Sequence, residues 1–260
     1  MLGAIAGDVI GVPWESAGEK RRDFPLFTEH SRFSDDTVMT VAVASALLEG
    51  RDYARAMRAF GRKHPFAGYG KRFEEWLLHE DLETFESYGN GGAMRAGPIG
   101  YAAQSENEAL DEARRCAAPT HNHPEGVKGA QAVALAVFLA RSGAAKSDIR
   151  HALAARFNYD LERTVDSIRP SYRFDVAAER SVPEAIICFL DAGDFEDAVR
   201  NAVSLGGDAD TMACIAVVIA EAHWGGVPAP IEREVRSRLP AEFIEVLELF
   251  RAKYMSRHGA

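Results

Sequence analysis

Residues 204–220 read SLGGDADTMACIAVVIA. Two glycines permit a tight turn and a close backbone approach. Asp208 and Asp210 then lead through Thr211 into an unbroken apolar run, which predicts a helix over residues 207–223. Acids at its start suit the positive end of the helix dipole. The same grammar stands far upstream. Residues 33–40, FSDDTVMT, offer Ser34 as an N-cap and Asp35 and Asp36 as first-turn acids of a helix over 35–49. One acidic helix start is ordinary; two with the same Asp/Thr order suggest convergence on one centre.

The helical pattern extends outward from these stretches. Apolar residues recur at helical spacing, and alternating strand patterns are nearly absent. Further helices are predicted over roughly residues 1–12, 51–63, 71–80, 106–118, 124–141, 146–156, 160–168, 181–191, 194–203, 229–237 and 240–256, about thirteen in all. Ser147-Asp148 is a cap candidate, and Gly50, Gly143 and Gly225-Gly226 are stops. Loops are expected at 11–33, 87–99 and 169–180. No internal repeat or long linker interrupts the pattern, so residues 1–260 read as a single all-α domain.

Composition sets limits on function. The 260 residues are 47% hydrophobic with 9% aromatics, a large aliphatic core. A net charge of -9 argues against broad attraction to nucleic acid or anionic membrane. Cys116, Cys188 and Cys214 are odd in number and widely spaced, which points to reduced thiols. The opening MLGAIAGDVIGV lacks a basic region and is interrupted by Asp8, a poor signal peptide. The most apolar windows, 130–140 and 212–220, are too short to cross a bilayer. A cytoplasmic protein without membrane association is expected, as a monomer. Arg51, Arg55, Arg58 and Arg62 fall on one face of an amphipathic helix, read as a solvated basic face.

Charge counting sharpens the acidic starts. If they meet, Asp35, Asp36, Asp208 and Asp210 could not all ionise at neutral pH without a cation. Hard divalent cations with oxygen ligands resolve this, with Ser34 and Thr211 as neutral donors; the His/Cys set that zinc prefers is missing. Glu15, in GVPWE, is a candidate fifth carboxylate. Five negative charges against two Mg²⁺ leave about minus one, a suitable balance for a two-metal site.

Two more stretches carry chemistry. Residues 87–97, SYGNGGAMRAG, set three glycines around Asn90, so successive amides there can bind a phosphate. No Gly-Lys-Ser/Thr follows, so this is not a Walker A loop. Residues 120–129, THNHPEGVKG, place Pro124 in a helix first turn with His123 as its cap. His121 is the histidine favoured to meet a ligand.

Taken in order, SDDT, YGNGGAMR, THNHPEG and GGDADT resemble the motifs of the ADP-ribosylglycohydrolase family, with similarity from Gly3 to about Gly225. The resemblance implies an orthogonal all-α fold with a binuclear centre of Mg²⁺ or Mn²⁺ at helix N-termini. Ser34, Asp35 and Asp36 would ligate one ion, Asp208 and Thr211 the other, with Asp210 shared. Glu15, on a mobile loop, would serve binding or catalysis, and Asp208 and Asp36 join it as catalytic carboxylates. Ser87, Tyr88, Gly89, Asn90, Gly91 and Gly92 would line the diphosphate and distal ribose, and His121 would contact the ADP-ribose. The implied reaction is metal-assisted hydrolysis of the C1″ N- or O-glycosidic bond of an ADP-ribosylated protein, nucleic acid or small molecule, releasing ADP-ribose. The alternatives are a metal-dependent phosphohydrolase acting on a nucleotide and a non-catalytic ADP-ribose-binding member. Against the first, no His-Asp dipeptide occurs and Glu74-Glu75 fits a pyrophosphatase pattern poorly.

Overall fold

The helix Ala209–Trp224 is buried from Ala209 through Ala222, so its apolar residues are wrapped on every side. The computed structural model describes residues 1–15, 17–82 and 84–255. Around the central helix it arranges an all-α fold, with nothing beyond isolated β-bridges among the described residues. Buried side chains from nearly every helix join one apolar cluster.

Helix Leu2–Gly11 lies antiparallel against the central helix, and its glycines explain how. Gly3, Gly7 and Gly11 recur every fourth residue and so share one face. A Cβ at Gly7 would stand 2.4 Å from the Ala213 carbonyl carbon, and one at Gly11 2.4 Å from the Asp210 Cα. At the other end, a Cβ on Gly3 would lie 2.5 Å from the Val217 carbonyl oxygen. Backbone therefore meets backbone along the contact. The antiparallel course carries the short helix Val12–Trp14 and Glu15 to the turn that holds Asp208.

Helix Asp35–Glu49 follows prediction at both ends. Ser34 accepts from the Asp36 amide at 3.3 Å, and Gly50 closes it with φ 112°. His123 caps helix Pro124–Arg141 by accepting from the Glu125 amide at 3.2 Å. Elsewhere the boundaries move. Helix Lys146–Phe157 has Ala145 at its N-cap with no side-chain bond, so Ser147-Asp148 does not cap it. The helix expected over 160–168 shrinks to Val165–Ile168, capped by Thr164. The helix expected from 181 starts at Ala178. The loop expected at 87–99 holds the short helix Gly91–Met94 and the start of another, Gly97–Ala102, which runs past its end. The last predicted helix, 240–256, becomes Ala241–Phe250 and a wider turn Arg251–Met255; residue 256 lies outside the described residues.

The basic stripe on helix Tyr53–Lys63 is not simply a solvated face. Arg58 donates to the carbonyls of Trp76, His79 and Leu82, and its guanidinium lies 4.1 Å from the Trp76 ring. Arg62 donates to the Leu77 carbonyl at 2.5 Å. The carbonyls of Trp76, Leu77 and His79 end helix Lys71–Leu78, where a cation satisfies otherwise orphaned acceptors, and that of Leu82 lies in the segment that follows. All three cysteines are buried and free.

Candidate active site

The two acidic helix starts meet. Asp35, Asp36, Asp208 and Asp210 line one cavity of about 430 Å³, together with Glu15 and Thr211. Thr211 Oγ1 donates to Asp36 Oδ2 at 3.1 Å, tying one start directly to the other.

A carboxylate passed over in the sequence sits at the base of this cluster. Asp8, on the opening helix, is wholly buried. It accepts from the amides of Ser34 at 2.9 Å and Thr37 at 3.1 Å, from Ser34 Oγ at 2.7 Å, and from Thr37 Oγ1. Asp8 thus caps the Asp35–Glu49 helix from another element and fills part of the first turn's missing hydrogen bonding. The sequence signal is an acid inside an apolar helical run.

Two overlapping triads result. Asp8, Asp36 and Asp210 each bring an oxygen within 4.8 Å of the others, as do Glu15, Asp208 and Asp210. Asp210 belongs to both. Asp36 Oδ1 is buried with no hydrogen-bond partner among the described residues. An orphaned carboxylate oxygen among oxygen donors suits a hard divalent cation.

The electrostatics agree. Burial, then the charges of Asp8 and neighbouring acids, pushes Asp35 and Asp36 well above the usual carboxylate range. Burial and then Asp36 do the same to Asp210. Asp8 is raised by burial against its own hydrogen bonds. Asp208 is also raised by burial, opposed first by its hydrogen bond from Asn90. Glu15 is raised by burial and then by Asp208 and Asp8. Apposed carboxylates of this kind ionise together only when positive charge is supplied.

The opposite wall comes from the glycine-bearing segment. Residues 85–90 run between two others: the Ser87 amide donates to the Thr120 carbonyl at 3.3 Å, and the Asn90 amide to the Val176 carbonyl at 2.8 Å. The stretches at 87–97 and 120–129 are thereby brought side by side. Asn90 Nδ2 donates to Asp208 Oδ2 at 2.7 Å, linking this wall to the acids. Ser87, Gly89, Gly91 and His121 line the cavity. His121 is buried, and burial followed by the Arg95 charge holds its proton affinity well below the usual histidine range.

Three named residues take different places. Ser34 is buried beneath the cavity as cap and as donor to Asp8. Gly92 packs under the ring, with its Cβ position 3.2 Å from the His121 Cβ. Tyr88 is exposed, edge-on to His123 with ring centroids 6.0 Å apart.

Lys20 is a second residue that sequence reasoning passed over. Its Nζ donates to the carbonyls of Arg169 at 2.9 Å and Tyr172 at 2.8 Å, and to that of Leu205. The segment after Glu15 is thus fastened to the 169–172 segment and to the Asp208 turn. In that turn Gly206 has φ +64°, and a Cβ there would lie 2.9 Å from the Glu19 carbonyl oxygen. A lysine in a loop carries no local mark of such a role.

Comparison with known proteins places this geometry. The family model for ADP-ribosylglycohydrolase matches residues 1–257. The ADP-ribosylhydrolase ARH3 of Danio rerio is 28% identical over 311 residues, covering 90% of this chain and 84% of the relative. ARH3 of Homo sapiens is 31% identical over 264 residues, covering 76% of this chain and 72% of the relative. Among solved structures, a chain described as an ADP-ribosylglycohydrolase-related protein complex superposes with a TM-score of 0.71 at 26% identity, covering 96% of this chain and 95% of that one. With the family model matching almost end to end, this chain belongs to the ADP-ribosylglycohydrolase family.

Proposed function

We propose that the protein hydrolyses the C1″ N- or O-glycosidic bond of an ADP-ribosylated protein, nucleic acid or small molecule and releases ADP-ribose. The observation that carries this reading is the meeting of an acidic cluster and a glycine-bearing wall in one cavity. The ADP-ribosylhydrolase activity for which the ARH3 relatives are named supports the substrate class.

Two divalent cations, Mg²⁺ or Mn²⁺, would be held among Ser34, Asp35, Asp36, Asp208, Asp210 and Thr211, beside Asp8 and Glu15, and would supply Lewis acidity and orient ribose hydroxyls. The chain's own groups do the rest. The amides of Gly91 and Gly92, at the start of a short helix, and the side chains of Ser87 and Asn90 bind the diphosphate and distal ribose. The Gly89 and Asn90 amides stay engaged with Ser87 Oγ and the Val176 carbonyl. Asp208, which accepts a hydrogen bond from Asn90, takes the proton of the attacking water and stabilises positive charge at C1″. Glu15, half-buried and with raised proton affinity, gives its proton to the leaving group. Asp36 holds the two helix starts together through Thr211.

The test is a panel of ADP-ribosyl-arginine, ADP-ribosyl-serine and ADP-ribosylated DNA, with Mg²⁺ or Mn²⁺ and chromatography of the products. Release of ADP-ribose from one member is expected. Phosphate release from nucleotides with no ADP-ribose from the panel would overturn the reading, as would tight ADP-ribose binding without turnover.

A further inference from the structure

Behind the ligand wall, three side chains form a buried chain of hydrogen bonds: Arg95, Thr120 and His121. Arg95 is fully buried with no bonded carboxylate among the described residues, and it has only donors to offer. Its Nη2 donates to the Cys116 carbonyl at 3.1 Å and to Thr120 Oγ1 at 2.7 Å. Thr120 Oγ1 lies 2.9 Å from His121 Nδ1.

The direction of the second bond follows from counting protons. Thr120 accepts from Arg95, so its own hydroxyl hydrogen must go elsewhere. Thr120 is fully buried, and His121 Nδ1 is the acceptor within reach among the described residues. Were Nδ1 protonated, the Thr120 hydrogen would be left buried and unpaired, which native interiors avoid. Thr120 therefore donates, Nδ1 accepts, and the ring proton resides on Nε2. That nitrogen points at the glycine-bearing segment. A Cβ on Gly91 would fall 2.8 Å from Nε2, and one on Gly89 3.8 Å from it.

We propose that Thr120, oriented by the buried guanidinium of Arg95, is a positioning residue that fixes His121 as an Nε2–H donor to an acceptor oxygen of the bound ligand beside residues 89–91. The identity of that acceptor, a phosphate or ribose oxygen of ADP-ribose, rests on the proposed function; the protonation pattern does not. The arrangement accounts for a histidine and an arginine buried together with no carboxylate bonded to either among the described residues.

Long-range ¹H–¹⁵N spectra of the imidazoles in the free protein, with His121 assigned from the signals lost in His121→Asn, read the pattern directly. Wild-type His121 is expected to show a bare Nδ1 and a protonated Nε2. Thr120→Val keeps the shape and removes the hydroxyl. It should redistribute the proton and weaken ADP-ribose binding by about tenfold, the worth of one hydrogen bond; Thr120→Ser should restore both. A protonated Nδ1 in the wild type overturns the proposal. So does a Thr120→Val protein with unchanged spectrum or unchanged affinity. If the valine variant does not fold, the wild-type spectrum and the serine variant decide. Failure of the wild type to bind ADP-ribose would remove the functional reading, while the spectra would still judge the role of Thr120.

Discussion

The two acidic helix starts look alike in sequence and are held in different ways. At Asp35-Asp36, the helix has a side-chain cap in Ser34 and a second, buried cap in Asp8 from the opening helix. At Asp208, the N-cap side chain takes no backbone amide of its own helix; its carboxylate accepts from Asn90 across the cavity. Acids of both starts line the cavity, but one start is secured from the core and the other from the glycine-bearing wall. Similar local grammar is therefore held by different parts of the fold.

The largest test of that contrast is Asp208→Asn, which should lower ADP-ribose release by about 10²–10⁴-fold while leaving the helical circular dichroism unchanged. An activity loss of under tenfold would place the chemistry elsewhere. Asp8→Ala attacks the anchored start. With Mg²⁺ present it should cost about 2–4 kcal/mol in urea unfolding, because the amides of Ser34 and Thr37 lose a buried charged acceptor. Unchanged stability would mean that Asp8 does not secure the helix.

Asn90→Ala touches only the second start. About a tenfold fall in kcat/KM is expected, with stability within about 1 kcal/mol of wild type; a collapse in stability would erase the distinction. The smallest effect is in pH dependence. Burial raises the proton affinity of Asp8, Asp35, Asp36 and Asp210 in the folded chain. Above the ordinary carboxylate range, the folded chain then keeps protons that the unfolded chain has released. Chelator-treated protein should therefore lose stability as pH rises through the raised values, by about 2–4 °C in Tm per kcal/mol. Mg²⁺ or Mn²⁺ should flatten the slope, and equal slopes with and without cation would argue against a cation among these acids.

Much of this was legible because it is local. A cap, first-turn acids and an apolar run lie within a few residues of one another, and so do the glycines around Asn90. Asp8 was not legible, because an acid within an apolar helix declares its purpose only when Ser34 and Thr37 arrive. Arg58 and Arg62 were misread for a related reason: the carbonyls they satisfy belong to the end of another helix. Lys20 and Thr120 likewise gain their roles from partners that no spacing rule connects.

The sequence by itself determined the helical class, the acidic helix starts and the motifs shared with the family, since each depends on short-range propensity, capping and residue chemistry. Only the tertiary structure decided which acids share a cavity, that Asp8 underlies them, and that His121 is backed by Thr120 and Arg95. Those outcomes depend on backbone contact at Gly3, Gly7 and Gly11 and on buried hydrogen bonds. Their free energy exists only after distant segments have met.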